Sequence, residues 1–334
     1  MVNDISDKYL LASILQKSIR LGLQETTVDT VEQLYTVDKS YLMYRLMIIA
    51  FEDVGIANVQ LIKDITRIKW GVRIFQENNI NFLDYFKDVA QQLASSNKDR
   101  SLCDAVYLVK IAYLNNDFSL LNSNPILSCI YKAWNILGNN RYKLDTVANT
   151  SNDNLDDFLL FVEKNKVNNL FTTDDFKNIY KTQVEPFFLA LAFLDPSKAK
   201  VVKTDIDKST LLGNIPFSAI DGHTAIGVYA LKQYSKRFRE NERFSLSPEQ
   251  FLSLLKMCLF RVEGQAVNPR LVYDDALMIK DIIQKKELNY KFTHILWQDY
   301  VELGKKIKAD LSIINEIREN KINYEMIQKN KIKP

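Results

Sequence analysis

Three groups of residues in this chain have the types and spacing to do chemistry. The first is Pro216-Phe-Ser-Ala-Ile-Asp-Gly-His-Thr-Ala-Ile-Gly, residues 216–227. There Asp221, His223 and Thr224 stand where a turn enters a helix. An Asp–His pair so placed could exchange protons, or hold a phosphate at the helix N-terminus. With no second histidine or carboxylate cluster nearby, a plainer reading is favoured: Asp221 caps the helix, His223 is satisfied locally, and Gly227 lets the helix pack closely. The second group is basic: Lys232, Lys236, Arg237, Arg239 and Arg243, interleaved with Tyr229, Tyr234 and Phe238. Such a mixture can hold phosphates and stack single-stranded bases. A solvated face whose aromatics turn to the core is the more common outcome, yet this segment is the best nucleic-acid candidate in the chain. Lys98 and Arg100, in a polar loop, and the Lys-rich C-terminal helix are weaker candidates. The third group is Glu52 and Asp53, two acids that end an apolar run, with Gly55 just beyond.

Many chemistries are missing. The only Gly-Lys pair, Gly304-Lys305, has no glycine at the required upstream spacing and Lys306 in place of Ser or Thr, so no phosphate-cradling P-loop is expected. The glycine, zinc-protease and serine-hydrolase signatures are also lacking. With only two histidines, His223 and His294, a metal site built on three or more histidines is ruled out. No cofactor and no metal are expected, and the chain by itself is not expected to hydrolyse ATP. The cysteines Cys103, Cys129 and Cys258 lie far apart without metal-ligand spacing, as free buried thiols of a reducing compartment do. A net charge of +3 is too mild to indicate nucleic-acid binding by itself. The first residues lack a signal-peptide pattern, so the expected location is cytoplasmic, away from membranes.

The elements that must position these groups are helices. Nine glycines and seven prolines in 334 residues favour long helices over a loop-rich sandwich. Apolar residues at helical spacing mark 8–21, 24–36, 41–53, a helix beginning after Asn58, 80–94, 102–114 and a helix ending near Leu137. The run Tyr41–Phe51 is apolar except for Arg45, and predicts a helix buried on every side. Beyond a polar stretch, short helices are predicted at 158–162, 176–180 and 187–194, then a strong one over 223–239. Ser247-Pro248-Glu249-Gln250 spells an N-cap, a first-position proline and a capping-box glutamine. Pro269 is expected to open a helix carrying Leu271, Val272, Ala276, Ile279 and Ile283, and the last helical stretch, 305–334, shows Ile307, Leu311, Ile314 and Ile317 on one face. No strand alternation is long enough to predict a sheet. The expectation is an all-α, multi-helix bundle: a helical domain over 1–137, a polar linker over 138–157 and a second helical domain over 158–334. Phe51-Glu-Asp-Val-Gly also echoes Phe260-Arg-Val-Glu-Gly, loosely enough to be read as coincidence.

Over residues 8–113 the chain resembles the C-terminal helical region of the MgsA/RarA family, AAA+ ATPases related to clamp loaders that act at stalled replication forks. The matching positions are Lys17, Ser18, Arg20, Gly22, Arg45, Glu52, Asp53, Gly55, Ala57, Ala105, Val106 and Tyr107. The departures are Leu21 ahead of the glycine, Tyr44 for an arginine, Phe51 for a serine, and Asp99-Arg100-Ser101 where the family has Pro-Lys-Ser. The ATPase half has no counterpart here. The resemblance implies a clamp-loader-collar-like N-terminal half that self-associates, with Arg45, Glu52, Asp53 and Gly55 as signature positions. The acids could engage a neighbouring subunit or a DNA-facing loop. A structural role is favoured, in which Glu52 pairs with Arg45 or Lys17 and Asp53 caps the next helix.

The leading expectation is therefore a non-enzymatic DNA replication or repair accessory protein. It would form a homo-oligomer, contact single-stranded DNA or a replisome protein through 232–243, and work with a separate ATPase. The alternative is an adaptor or inhibitor of a clamp-loader-like ATPase that binds no DNA. A more distant third reading is an enzyme using Asp221 and His223.

Overall fold

Helix α1 (Lys8–Leu21) starts where the Asp7 carboxylate accepts the N–H groups of Tyr9 and Leu10, and stops at Gly22 in the left-handed conformation. This computed structural model describes residues 5–68, 81–114, 152–166, 169–180, 199–203, 211–237, 243–264, 266–272 and 276–332, with residues 119, 128, 129, 132 and 197 besides. The helix expected at 187–194 lies outside the described residues; of the one expected at about 125–137, residues 128, 129 and 132 are described, and all three are helical. What is described is mostly helical, and among the described residues no helix is long and apolar enough to cross a membrane.

The chain divides into two compact units. The first combines residues 1–42, 204–267 and 292–334; the second combines 43–203 and 268–291. This grouping differs from the expected cut at 138–157. Each unit draws segments from both sides of that stretch, most of which lies outside the described residues.

The first unit holds α1, the start of α2 (Gln24–Ile49), a short hairpin of β2 (Leu211–Leu212) and β3 (Ile215–Pro216), α8 (Ala225–Arg237), α9 (Pro248–Leu259), α11 (Trp297–Ala309) and α12 (Leu311–Ile332). Its interior collects Leu11, Ile14, Leu15 and Ile19 from α1, Ala230 and Leu231 from α8, Leu254 and Leu255 from α9, and Ile307 and Ile314 from the last two helices. Hydrogen bonds tie α1 and α2 to the hairpin region: Ser13 Oγ donates to the Ala219 carbonyl at 2.7 Å, and Thr26 Oγ1 to that of Asn214 at 2.9 Å. The capping box expected at Ser247 forms, with Gln250 as its other half.

The second unit holds the rest of α2, then α3 (Val59–Ile68), α4 (Phe82–Ser95), α5 (Ser101–Leu114), α6 (Asn152–Asn165), α7 (Thr173–Tyr180) and α10 (Ala276–Lys291). Its core includes Leu46, Ile49, Phe51, Ile62, Leu93 and a ring cluster of Phe158, Phe171 and Phe176. Lys63 sits 2.9 Å from Asp175 and over the Phe171 ring.

The span α2 is two helices parted by a kink at Asp38, as expected from 24–36 and 41–53: Asp38 is non-helical, and its carboxylate accepts the Tyr41 N–H and caps the second helix. Two expectations are corrected. The apolar run is not buried all round, because Tyr44 is 45% exposed. The helix expected from Pro269 begins only at Ala276, as α10, which carries Ala276, Ile279 and Ile283; Leu271 and Val272 belong instead to β4 (Arg270–Val272), antiparallel to β1 (Lys200–Val202). Here the ladder bonds of β1, with Lys98 paired on β4's other edge, give the backbone partners that a helix would have supplied.

The echoing segments 51–55 and 260–264 lie at two similar turns, one residue out of register with the echo. In both places a helix runs into a five-residue π turn, Ala50–Val54 after α2 and Phe260–Gly264 after α9. Each turn carries a carboxylate gripped by an arginine that is distant in sequence and buried. Asp53 meets Arg100 at 2.5 Å, and Glu263 meets Arg318 at 2.6 Å. A π turn adds one residue to the helix and interrupts its regular bonding, so an anchored acid fixes the turn in place.

Candidate nucleic-acid interface

The basic segment is split by its environment. On α8, the exposed positions are Ala225, Tyr229, Lys232, Lys236 and Arg237, while Ile226, Ala230, Leu231 and Tyr234 face the core. That alternation is what helical periodicity does to a sequence mixing basic and aromatic residues. Tyr234 turns inward and donates its hydroxyl to Asp310 Oδ2 at 2.7 Å. Tyr229 stays outside, 40% exposed. Among the described residues, no carboxylate pairs with Lys232, Lys236 or Arg237. Arg243 does not belong to this face. It lies over the Phe244 ring, within 3.3 Å of Asp299 and 3.5 Å of Glu302, so its charge is already met by acids. Arg239 and Phe238 lie outside the described residues.

α12 packs along α8 and completes the face with residues that the sequence argument credited only as part of a Lys-rich helix. Lys321 Nζ stands 5.1 Å from the ring centroid of Tyr229 and 5.4 Å from that of Tyr324, which is 56% exposed. Two aromatic faces thus hold one cation between them. The result is a surface with two accessible tyrosine rings, Lys321, and the amines of Lys232 and Lys236. Exposed Glu316 and Glu319 on α12 keep it from being uniformly positive. The spacing of Lys321 and Tyr324, three apart on a helix, was a readable signal; their meeting with Tyr229 was not.

Lys98 and Arg100 are corrected as phosphate contacts, because both are buried. Lys98 Nζ donates to the Ala94 carbonyl at 2.9 Å and also to that of Ser96, and the Lys98 backbone pairs with Pro269 and Leu271. Burial draws its amine down to about 8, opposed by the charge of Asp53. Arg100, 4% exposed, binds Asp53, lies 3.5 Å from Glu52 Oε1 and donates to Cys103 Sγ. Glu52 and Asp53 therefore share one buried guanidinium. Asp53 is 0% exposed, and the cap of α3 is Asn58, which accepts the Leu61 N–H. Arg45 is half-buried on α2, and Gly55 has a positive φ of 51° that suits glycine as the π turn ends. Lys17 and Arg20 both donate at 2.8 Å to the carbonyl of Gly264, at the end of the second π turn. Burial pushes the Cys103 and Cys258 thiols far above their ordinary range, which leaves them unreactive.

Asp221, His223 and Thr224 follow the plainer reading, with one change. Thr224 is the cap, accepting the Gly227 N–H at 3.0 Å and donating to the Asp221 carbonyl at 2.9 Å. Asp221 closes the preceding turn through the His223 N–H at 2.8 Å. Gly227 has no alternative, since a Cβ there would stand 1.8 Å from the Asp221 carbonyl oxygen. The Thr224 hydroxyl thus ties the end of the turn to the first turn of α8. His223 Nδ1 is 3.4 Å from Asp221 Oδ1, and its side chain is 80% exposed. Burial alone would raise the Asp221 carboxyl, but the bonds to His223 and the charge of Lys17 outweigh it and hold the group low. The bond to Asp221 and its negative charge in turn raise His223, against partial desolvation and the charges of Lys17 and Lys256.

In the second unit an apolar groove is lined by Met43, Tyr44, Met47, Ile65, Tyr85 and Phe86, with no carboxylate, lysine or histidine among its lining residues. Among the described residues, no group of three His, Cys, Asp or Glu side chains could hold a metal ion. No protein family, curated protein or solved structure matches the chain.

Proposed function

We propose that the chain is an accessory factor of DNA replication or repair that holds single-stranded DNA on the α8–α12 face and performs no reaction of its own. The observation that carries this reading is Lys321 seated between the exposed rings of Tyr229 and Tyr324, beside Lys232 and Lys236. Unpaired bases need an aromatic face to stack on and cations along the backbone, and this surface supplies both. The cations are few, so stacking carries much of the affinity. A duplex would offer no unstacked base to the tyrosines. The replication process comes from the resemblance of residues 8–113 to the collar-like region of the MgsA/RarA family. Self-association, and cooperation with an ATPase encoded elsewhere, belong to the same proposal.

A titration with a fluorescent oligothymidine at low salt tests it. Lys236→Glu with Arg237→Glu removes two cations and adds two repulsions on an exposed face, so affinity should fall at least about tenfold. Tyr324→Ala should cost about 1–3 kcal/mol, the worth of one stacked base. Unchanged binding in both variants would remove the face from any role in DNA contact. Light scattering with and without the strand reports the oligomer in the same experiment.

A further inference from the structure

We propose that His223 is a further phosphate contact at the head of the α8–α12 face, one that engages the strand only when its ring is protonated. This rests on the reading of that face as a single-strand site. His223 immediately precedes α8, and its side chain is the most open part of the turn. Continuing along the helix, the exposed positions are Ala225, Tyr229, Lys232 and Lys236. At 1.5 Å per residue, the helical part of this row, 225–236, extends about 17 Å, room for a few nucleotides. Nδ1 faces Asp221, so Nε2, on the far side of the ring, is left for a ligand.

The groups around the ring set its behaviour. Asp221 stands against it from the same turn, Lys17 approaches from α1 and Lys256 from α9. Lys256 also packs against Gly222, where a Cβ would meet its Cγ at 2.8 Å. Asp221 favours the imidazolium while the two lysines oppose it, and the balance lies above an ordinary histidine. Lys17 is held by the Gly264 carbonyl, so it stays beside Asp221 as a fixed neighbour. An imidazolium adds one cation to a face that has few. When the ring loses its proton, that cation and its released counterion are lost together.

Oligothymidine binding at fixed low salt, at about pH 6 and about pH 8, tests the inference. The unaltered protein should bind about two- to fivefold more weakly at the higher pH, the worth of one exposed ion pair. Its dependence on salt should also be shallower there, by about 0.7 in the logarithmic slope. His223→Gln should show neither change, and oligothymidine should raise the midpoint of the His223 ring titration followed by NMR. Binding that is independent of pH while Lys236→Glu with Arg237→Glu still weakens it would overturn the role of His223 and leave the strand site standing. A pH dependence that persists in His223→Gln overturns it as well. Insensitivity to the Lys236 and Arg237 changes would overturn the strand site, and this inference with it.

Discussion

Replacing Arg100 by Met should destabilise the second unit by about 3–5 kcal/mol, because it leaves a buried carboxylate without its cation. Asp53 is 0% exposed and Arg100 4%, and their atoms meet at 2.5 Å, so water cannot take the place of the guanidinium. Glu52, 3.5 Å away with one-fifth of its side chain open, can turn toward solvent and contributes less. The loss includes the Arg100 bond to Cys103 and is large beside the 5–15 kcal/mol by which domains are typically stable. The cost should shrink in mild acid, where Asp53 can escape by taking a proton. Asp53→Asn in the Arg100→Met background removes the stranded charge and should recover a substantial part of the loss, whereas the same change alone should destabilise. Urea unfolding of the three variants, followed by circular dichroism, measures the cycle. A loss below about 1 kcal/mol for Arg100→Met, or a double variant no more stable than Arg100→Met, would refute the view that this pair anchors the π turn.

Asp99 is wholly buried, and burial raises its carboxyl to about 6, well above the unfolded value near 4. The folded chain therefore keeps a proton that the unfolded chain has lost. Stability should fall as pH rises from about 4 to about 6, by up to about 3 kcal/mol. Asp99→Asn keeps an oxygen for the Ser101 N–H and should flatten that dependence while gaining stability at about pH 8, as thermal melts across pH will report. Gly227→Ala drives a Cβ into the Asp221 carbonyl and should cost at least about 3 kcal/mol. A melting temperature equal to that of the unaltered protein would show that the turn can give way.

Local patterns were legible in the sequence because their causes are local. Apolar spacing placed α1, α4, α8 and α9, and the Ser247-Pro248-Gln250 box marked its helix start, since each depends on residues within one or two turns. The basic-aromatic alternation of 229–237 likewise announced a candidate face. The tertiary structure decided which charges meet water. Lys98 and Arg100 look like an exposed basic loop, but the Pro269–Leu271 backbone bonded to Lys98 and the acid of the first π turn bury them. Arg243 reads like Lys236, yet acids from α11 claim it. Tyr324 and Lys321 joined Tyr229 only because α12 returns along α8, a long-range packing that no window of neighbouring residues encodes. The two π turns depend on distant residues in the same way: a buried arginine about fifty residues downstream completes each. Helices come from spacing along the chain. Exposure comes from what the rest of the chain places on top.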